Sequence, residues 1–228
     1  MSQPQTTIIL VRHADVHNPN DIVYGRLPRF RLSTLGRAEA RRTAAALRDT
    51  PLVAIYSSPQ LRARQTARII AEQHPELKVH VSRLLAEVLT GWEGVPNAEM
   101  AARQFNFYDP LHHSADESLE DIARRLLRWT ALMLRRHPGG VVAGVSHGDP
   151  LMIARLLFSG QAITLENLRR QEDYPAKGSI TRLVFAGVGD PAMLPVQMTC
   201  EDPNQAARDA PQGDQWVARA VAGARRES

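Results

Sequence analysis

The sequence lacks several features that mark particular classes of protein. Cysteine occurs once, as Cys200, so no disulfide can form within the chain, and we expect a reducing compartment. No apolar run approaches the length that spans a membrane, and the polar residues 1–5 do not resemble a signal peptide. These absences predict a cytoplasmic protein with no membrane partner.

Lysine is also scarce, because only Lys78 and Lys177 are lysines among the 28 basic residues. The arginines are interleaved with aspartate and glutamate, so the net charge of +4 is not gathered into a basic run, and no nucleic-acid-binding motif is present. We therefore expect no nucleic-acid partner. With 228 residues, 43% of them hydrophobic, the chain is long enough to bury a sizeable core.

Short apolar segments rich in β-branched residues alternate with helical segments along the chain. Strands are predicted at residues 6–11, 52–56, 79–81, 141–145, 180–185 and 193–198, whereas the segment 84–89 is ambiguous. Helices are predicted at about 34–49, from a cap at Ser58 to about 74, from 114–118 to Pro138, and at 150–158. This alternation predicts an α/β fold of three layers, α/β/α, with a mainly parallel sheet covered by helices on both faces.

We expect a single domain over residues 1–200, followed by a loosely held C-terminal tail at 201–228 whose order stays open. Within the domain, residues 91–115 are loop-like with one short helix near 97–104, and their length and aromatic content predict a flap over a ligand. The aromatic residues of this flap are expected to pack as core or lid rather than to stack on a ligand. They are Trp92, Phe105, Phe107 and Tyr108.

Cationic or titratable side chains follow three of the predicted strands. Arg12 and His13 end the first strand, His147 follows the strand at 141–145, and Arg62 lies one turn into the helix after the second strand. Because ligands bind beyond the carboxyl ends of parallel strands, these side chains would form a strongly positive pocket at one edge of the sheet. Arginine forks and a helix N-terminus both suit a phosphoryl group, and a histidine there would serve as a base or a nucleophile.

A carboxylic acid is expected near this pocket, because a leaving alkoxide needs a proton. Glu87 is the best candidate by position, since it follows a short predicted strand. Periodicity does not separate it from Glu93.

A metal-hydrolase site is the rival interpretation. His13, Asp15 and His17 alternate, so an extended backbone would place them on one face like metal ligands, with His147 and Asp149 completing the set. Against this, two arginines would then lie beside a cation and repel it. Phosphatase activity that survives a chelator would remove this interpretation.

Four short motifs follow one another along the chain: Val-Arg-His-Ala-Asp at 11–15, Ser-Ser-Pro-Gln-Leu-Arg-Ala-Arg-Gln-Thr-Ala at 57–67, Glu87 with Trp-Glu-Gly at 92–94, and Val-Ser-His-Gly at 145–148. In this order they resemble the motifs of the histidine phosphatase superfamily, whose fold is phosphoglycerate mutase-like. The resemblance covers about residues 6–185, which is most of the chain. Each motif is short, but four in order at compatible spacing are specific.

The resemblance implies a role for each matching residue. His13 would be the nucleophile that forms a phosphohistidine, and Glu87 would protonate the leaving oxygen and then help water to attack. Arg12, Arg62 and His147 would hold the phosphoryl oxygens and stabilise their charge. With these cations in place, no metal and no other cofactor is expected.

The loop after the first strand departs from the family pattern at two positions. Ala14 replaces the usual glycine, which is tolerable where its φ is negative. Pro19 stands where asparagine is common, with Asn18 and Asn20 on either side, and these two asparagines are candidate substrate-binding residues. Arg26 is a third candidate, which would select a second anionic group on the substrate, although a solvated loop charge explains it about equally well.

Several functional interpretations follow from the same residues. The first is a metal-independent phosphatase that hydrolyses phosphate monoesters of small molecules, and the absence of a long insertion favours it slightly over a phosphoglycerate-type mutase. A protein phosphohistidine phosphatase would use the same chemistry. A non-catalytic phospho-ligand binding module would not need a nucleophile and an acid together. The expected partner is a small phosphorylated substrate, with a homodimer left open.

Overall fold

One six-stranded sheet organises the fold. The computed structural model describes residues 5–170, 172–186 and 194–209. The strands are β1 (Thr6–Arg12), β2 (Leu52–Ser57), β3 (Val79–Val81), β4 (Val141–Ser146), β5 (Ile180–Phe185) and β6 (Gln197–Glu201). Their order across the sheet is β3-β2-β4-β1-β5-β6.

Five of the six described strands run in the same direction. β1 pairs in parallel with β4, β4 with β2, and β2 with β3, whereas β5 lies antiparallel between β1 and β6. In register, Arg12 lies beside Ser146, and Ser57 lies beside Val145. The carboxyl ends of β1, β2 and β4 therefore meet at one edge of a mainly parallel sheet, and the predicted fold class is confirmed.

Helices cover both faces of this sheet. They are α1 (Thr34–Leu47), α2 (Leu61–Ala71), α3 (Asn97–Ala102), α4 (Leu119–Arg136), α5 (Gly148–Phe158), α6 (Leu165–Leu168) and α7 (Gln205–Asp209). Ile9 and Val11 of β1 pack with α1 and α2 in one core, while Ile8 and Leu10 pack with α4 and α5 in the other. A strand buried on both faces has no polar alternation, which explains its continuous apolar run. Among the described helices, none is long and apolar enough to cross a membrane.

Three of the described helices, α1, α4 and α6, begin with side-chain caps, and α1 and α4 are the two longest. At the start of α1, Oγ of Ser33 accepts from the backbone N–H of Gly36 at 2.9 Å. Before α4, Oγ of Ser118 accepts from the backbone N–H of Asp121 at 3.1 Å, and the Asp121 carboxylate accepts from the N–H of Ser118 at 3.1 Å. These bonds satisfy N–H groups that the first turn of a helix leaves unpaired.

The predicted start of α2 is wrong. The sequence places Ser58 as the cap and Pro59 as the first helical residue, but α2 begins at Leu61 after an N-cap at Gln60. The Ser58 hydroxyl lies 2.6 Å from Nε2 of His147, so a tertiary contact competes for this side chain. The same hydroxyl still accepts from the backbone N–H of Gln60 at 3.3 Å, but the helix itself starts only at Leu61.

Other predicted element boundaries differ from the observed ones by a few residues. The ambiguous segment 84–89 overlaps a 3-10 turn at Arg83–Leu85, and α5 begins at Gly148 rather than at Pro150. The last strand, β6, begins four residues later than the predicted 193–198, of which residue 193 lies outside the described ranges. Pairing with β5 sets its position, since Thr199 lies beside Arg182 in the ladder.

Residues 201–209, at the start of the predicted tail, supply the last residue of β6 and helix α7. Asn204 is buried there, and its Oδ1 accepts from Nε of Arg42 at 2.7 Å. The rest of the predicted tail, 210–228, lies outside the described residues.

Candidate active site

Four side chains that are far apart in the sequence lie together at the carboxyl edge of the sheet. His13 directly follows β1, Arg62 lies in the first turn of α2, and His147 is the N-cap of α5. Glu87 follows the 3-10 turn. His13, Arg62 and His147 are buried, and the Glu87 side chain is 16% exposed. Interactions between their charges are therefore screened much less than they would be in water.

Arg62 connects the other three side chains. Its Nε donates to Nε2 of His13 at 3.2 Å. Its Nη2 lies 3.1 Å from Oε2 of Glu87 and 3.1 Å from Nδ1 of His147. The same carboxylate oxygen of Glu87 lies 3.1 Å from Nδ1 of His147, so one guanidinium nitrogen, one carboxylate and one imidazole form a triangle.

Two guanidinium nitrogens in this region have no hydrogen-bond partner among the described residues: Nε of Arg12 and Nη1 of Arg62, both buried. Arg62 is held by the carbonyl of Gly25, 2.8 Å from Nη2, and by the ring of Tyr24, whose centre lies 4.5 Å from Cζ. The ring centre of Tyr174 lies 5.1 Å from Cζ of Arg12. Because a buried donor without an acceptor is costly, this arrangement suits an anion that accepts from both arginines.

Hydrogen bonds define which nitrogen of His13 carries the proton. Nδ1 lies 2.7 Å from the carbonyl oxygen of Ala14, and a carbonyl can only accept, so Nδ1 is the protonated nitrogen. Nε2 then carries the lone pair into which Arg62 donates. The ring therefore presents an unprotonated nitrogen to the cluster, which is the form needed by a nucleophile or a base.

A second series of hydrogen bonds fixes the ring of His147. Oε1 of Gln60 accepts from the backbone N–H of Glu87 at 3.3 Å, and the hydroxyl of Ser58 donates to the same oxygen. That hydroxyl accepts in turn from Nε2 of His147 at 2.6 Å. Nδ1 is thus the nitrogen that faces Glu87 and Arg62: it donates to the carboxylate when protonated and accepts from the guanidinium when neutral.

Burial and neighbouring charges shift the pKa values of His13, His147 and Glu87. Burial lowers the pKa of His13 well below 6.5, and the charges of Arg62 and His147 lower it further. Burial also lowers the pKa of His147 to about 4, against the opposing attraction of Glu87. Burial alone would raise the pKa of Glu87, but His147 and Arg62 outweigh it and hold that pKa well below its ordinary value. At neutral pH the site holds a neutral His13 and an ionised Glu87.

These groups border a cavity of about 210 Å³. Arg12, His13 and Glu87 line it directly. Arg62 and His147 are not among the lining residues; they contact His13 and Glu87 instead. The rest of the lining comes mostly from the loop after β1, from the flap and from the first residues of α5.

Asp149 belongs to this site, although the sequence suggests it only as a metal ligand. Its two carboxylate oxygens accept from the hydroxyls of Tyr108 and Tyr174, each at 2.6 Å. Burial raises the pKa of Asp149 and of both tyrosines. Tyr108 comes from the flap and Tyr174 from the loop before β5, so no local sequence pattern could have paired them.

The two candidate asparagines do not line the cavity. Nδ2 of Asn18 donates to the carbonyl of Ile22 at 2.8 Å, which stabilises the loop itself, and Asn20 is exposed. Ala14, which stands where the family usually has glycine, is unstrained, because its φ lies outside the left-handed region. Its backbone N–H donates to Oγ1 of Thr66 at 3.2 Å.

Arg26 also lies outside the lining, and it contacts the site from behind. Its Nη2 donates to Oε2 of Glu117, and its Nε donates to the carbonyl of Glu87, each at 2.8 Å. The carboxylate of Glu93, the alternative acid, accepts from the backbone N–H of Arg26 and does not reach the cluster around Arg62. The structure therefore separates Glu87 from Glu93, which the sequence does not.

Three of these side chains could present ligands to a metal ion. His13, Glu87 and His147 have potential ligand atoms within 4.8 Å of one another. The fixed positive charge of Arg62, which contacts all three, opposes a cation there. The remaining members of the rival metal prediction lie outside this set: Asp15, His17 and Asp149.

Comparisons with known proteins identify relatives of the chain. A family model of the histidine phosphatase superfamily (branch 1) matches residues 8–192. An uncharacterized protein of Mycobacterium tuberculosis, Rv0525, is 36% identical over 189 residues, which are 80% of this chain and 92% of that protein. The putative phosphoserine phosphatase 2 of Hydrogenobacter thermophilus is 30% identical over 169 residues, 71% of this chain and 81% of that protein. In fold, the chain is similar to the mycobacterial glucosyl-3-phosphoglycerate phosphatase Rv2419c, with a TM-score of 0.69, 22% identity, and coverage of 87% of this chain and 98% of that one.

Proposed function

Because the chain belongs to the histidine phosphatase superfamily, we propose that it hydrolyses phosphate monoesters of small molecules through a phosphohistidine on Nε2 of His13. The observation that carries this proposal is that the unprotonated nitrogen of His13 and the carboxylate of Glu87 both lie within hydrogen-bond distance of the Arg62 guanidinium. A nucleophile, a fixed cation and a carboxyl group together suit phosphoryl transfer, and a simple binding module needs no such set. The name of the Hydrogenobacter relative, a putative phosphoserine phosphatase, agrees with this chemistry.

In the first step, the Nε2 lone pair of His13 attacks phosphorus and the ester P–O bond breaks. The proton stays on Nδ1 and keeps its hydrogen bond to the Ala14 carbonyl, which helps the ring to carry the positive charge that develops. The unpartnered donors of Arg12 and Arg62 bind the phosphoryl oxygens and stabilise the transition state, because they are already in place before charge moves. These fixed cations supply the positive charge that a metal ion supplies in other phosphatases.

Glu87 is the proposed acid, and substrate binding must first raise its pKa so that the carboxyl group can hold a proton. The resting cluster holds the pKa of Glu87 low, since His147 and Arg62 favour the carboxylate. A phosphoryl dianion placed beside Arg62 offsets the charge of the guanidinium and raises the carboxyl pKa, so that Glu87 can take a proton from solvent and deliver it to the leaving oxygen.

In the second step, water replaces the alcohol. The Glu87 carboxylate accepts a proton from water while the water oxygen attacks phosphorus. The P–N bond breaks, its electron pair returns to Nε2 of His13, and inorganic phosphate leaves. The resting protonation state is restored when Glu87 loses the proton to solvent.

A panel of phosphate esters assayed with a chelator present tests this proposal. We expect wild type and His17→Ala to be equally active, whereas His13→Ala loses at least about 1000-fold in turnover. His17 is exposed and belongs to the rival metal prediction, so its variant is the matched control. An acid-labile adduct labelled with radioactive phosphate should form on wild type and be absent from His13→Ala. Equal turnover by these two proteins would end the phosphatase proposal.

A further inference from the structure

Apolar side chains form much of the cavity wall around the groups proposed to bind phosphate. They include Ile22, Val23, Tyr24, Val88, Phe105 and Phe107. The cavity of about 210 Å³ is larger than the roughly 150 Å³ that accommodates benzene in an engineered protein core. It therefore has room for a ring-sized group.

The charges in this wall are unsuited to a second anionic group on the substrate. Arg12 is the one arginine or lysine among the described residues of the lining, and its Nη1 donates to the carbonyl of Pro175. Glu87 and Asp149 add two carboxyl groups to the same lining. Arg26 is bonded to a glutamate and to a backbone carbonyl outside the lining. A substrate carboxylate would meet repulsion there, with no cation in the lining beyond the one proposed to bind the phosphoryl group.

Position 105 is unfavourable for phenylalanine in two respects, its exposure to solvent and its backbone conformation. Its side chain is 46% exposed, and its φ of 53° lies in the left-handed region directly after Gln104 at 52°. Glycine or asparagine adopts this conformation at lower cost after the end of a helix such as α3. Backbone strain of this kind clusters at ligand-binding sites, and the Phe105 ring lies on the cavity wall.

We propose, on the basis of the phosphatase function above, that the alcohol half of the substrate is an uncharged apolar group that packs against Phe105 and Phe107. The flap aromatics that line the cavity then determine specificity instead of serving only as a lid. Esters that carry a carboxylate are poor substrates of this site, which also separates it from a mutase acting on phosphorylated sugar acids.

Three esters of primary alcohols test this inference while keeping the leaving oxygen similar: 2-phenylethyl phosphate, glycerol 3-phosphate and 3-phosphoglycerate. We expect kcat/KM for 2-phenylethyl phosphate to exceed that for glycerol 3-phosphate about tenfold, because contact between aromatic rings contributes on that scale. The value for 3-phosphoglycerate should be the lowest of the three.

Phe105→Ala should lower kcat/KM for 2-phenylethyl phosphate about tenfold and leave that for glycerol 3-phosphate nearly unchanged. Leu111→Ala is the matched control, since Leu111 is also an exposed apolar residue of the flap but lies outside the lining. An unchanged ratio of the kcat/KM values for the two esters in Phe105→Ala would overturn this inference but not the proposed phosphatase function. A preference of wild type for 3-phosphoglycerate would do the same. If no ester is hydrolysed and no phosphohistidine forms, the proposed function fails as well.

Discussion

Arg62 donates from Nε to Nε2 of His13 at 3.2 Å, so a cation engages the lone pair that is proposed to attack phosphorus. The contact favours the neutral ring, since a protonated Nε2 could not accept from a guanidinium. It also places the guanidinium beside the position that phosphorus must occupy. Attack therefore requires Arg62 to exchange this hydrogen bond for one to a phosphoryl oxygen.

Arg62→Lys should preserve the charge but lose the planar fork that reaches His13, Glu87 and a phosphoryl group together. We expect kcat/KM to fall at least about 100-fold, because a single ammonium cannot replace bonds made from several fixed nitrogens. Steady-state kinetics with p-nitrophenyl phosphate measures the loss. Arg68→Lys, at an exposed position of the same helix, is the control and should keep full activity. Undiminished activity in Arg62→Lys would contradict the role given to Arg62.

Glu87→Gln should separate the two chemical steps. With an alkyl phosphate, whose alkoxide needs a proton, we expect turnover to fall at least about 100-fold. With p-nitrophenyl phosphate the leaving group needs no proton, so His13 should still be phosphorylated and hydrolysis of the phosphohistidine should become limiting. Rapid mixing should then show a burst of nitrophenolate equal to the enzyme concentration, followed by slow turnover.

Asp149→Asn is the comparison for that experiment, because Asp149 is the other carboxyl group on the cavity lining. Both of its oxygens accept from the hydroxyls of Tyr108 and Tyr174, so it has no proton to donate. The variant should lower the turnover of both esters by the same factor, through the position of Tyr174 against Arg12. A loss confined to the alkyl ester in Asp149→Asn, and absent in Glu87→Gln, would assign the acid to Asp149.

The ring of His13 should stay neutral in mildly acidic solution. Burial, Arg62 and His147 hold its pKa well below 6.5, and the neutral ring is the form that attacks. We therefore expect the His13 ring to titrate well below pH 6.5 and the nucleophile to remain available there. Because a phosphate ester itself ionises near pH 6, NMR titration of the imidazole signals is the direct measurement. Signals lost in His13→Ala identify the ring, and a midpoint near 6.5 would contradict the expectation.

The meeting of ionisable residues at one edge of the sheet could be predicted, because it depends on local sequence patterns. β1 and β4 are continuous apolar runs that each stop at ionisable residues, and parallel strands bring such endings to one edge. This reasoning placed His13 and His147 together, and their ring centres lie 5.1 Å apart. It could not choose between Glu87 and Glu93, because that choice depends on which carboxylate reaches Arg62.

Contacts between distant loops were beyond prediction from one sequence. Ser58 has the local setting of a helix cap, yet its hydroxyl faces His147, 89 positions away. Asp149 meets two tyrosines from irregular segments that show no periodicity. Propensity decides where an element begins only when no tertiary partner competes for the same side chain.

Acid should destabilise the fold through two buried histidines of the candidate site, His13 and His147. The folded-state pKa values of His13 and His147 lie below 6.5, with that of His147 at about 4, so below pH 6.5 the unfolded chain binds more protons than the folded one. The stability that they contribute is fully present above pH 6.5 and is lost as the pH falls, with a slope of up to about 1.4 kcal/mol per pH unit for each ring. Glu87 adds a further loss only below its ordinary pKa of 4.5, so measurements above that pH report mainly on the histidines.

Urea unfolding of wild type, His147→Asn and His17→Ala between pH 7 and pH 4.5 measures this dependence. His147→Asn should show a shallower loss of unfolding free energy than wild type, because one of the rings that take up a proton on unfolding is gone. His17→Ala should follow wild type, since His17 is exposed and loses little solvation on folding. Because acidic groups elsewhere are the same in all three proteins, their contributions cancel in the difference. A slope that is equal in wild type and His147→Asn would mean that the pKa of His147 is not lowered in the folded chain, and would contradict this prediction.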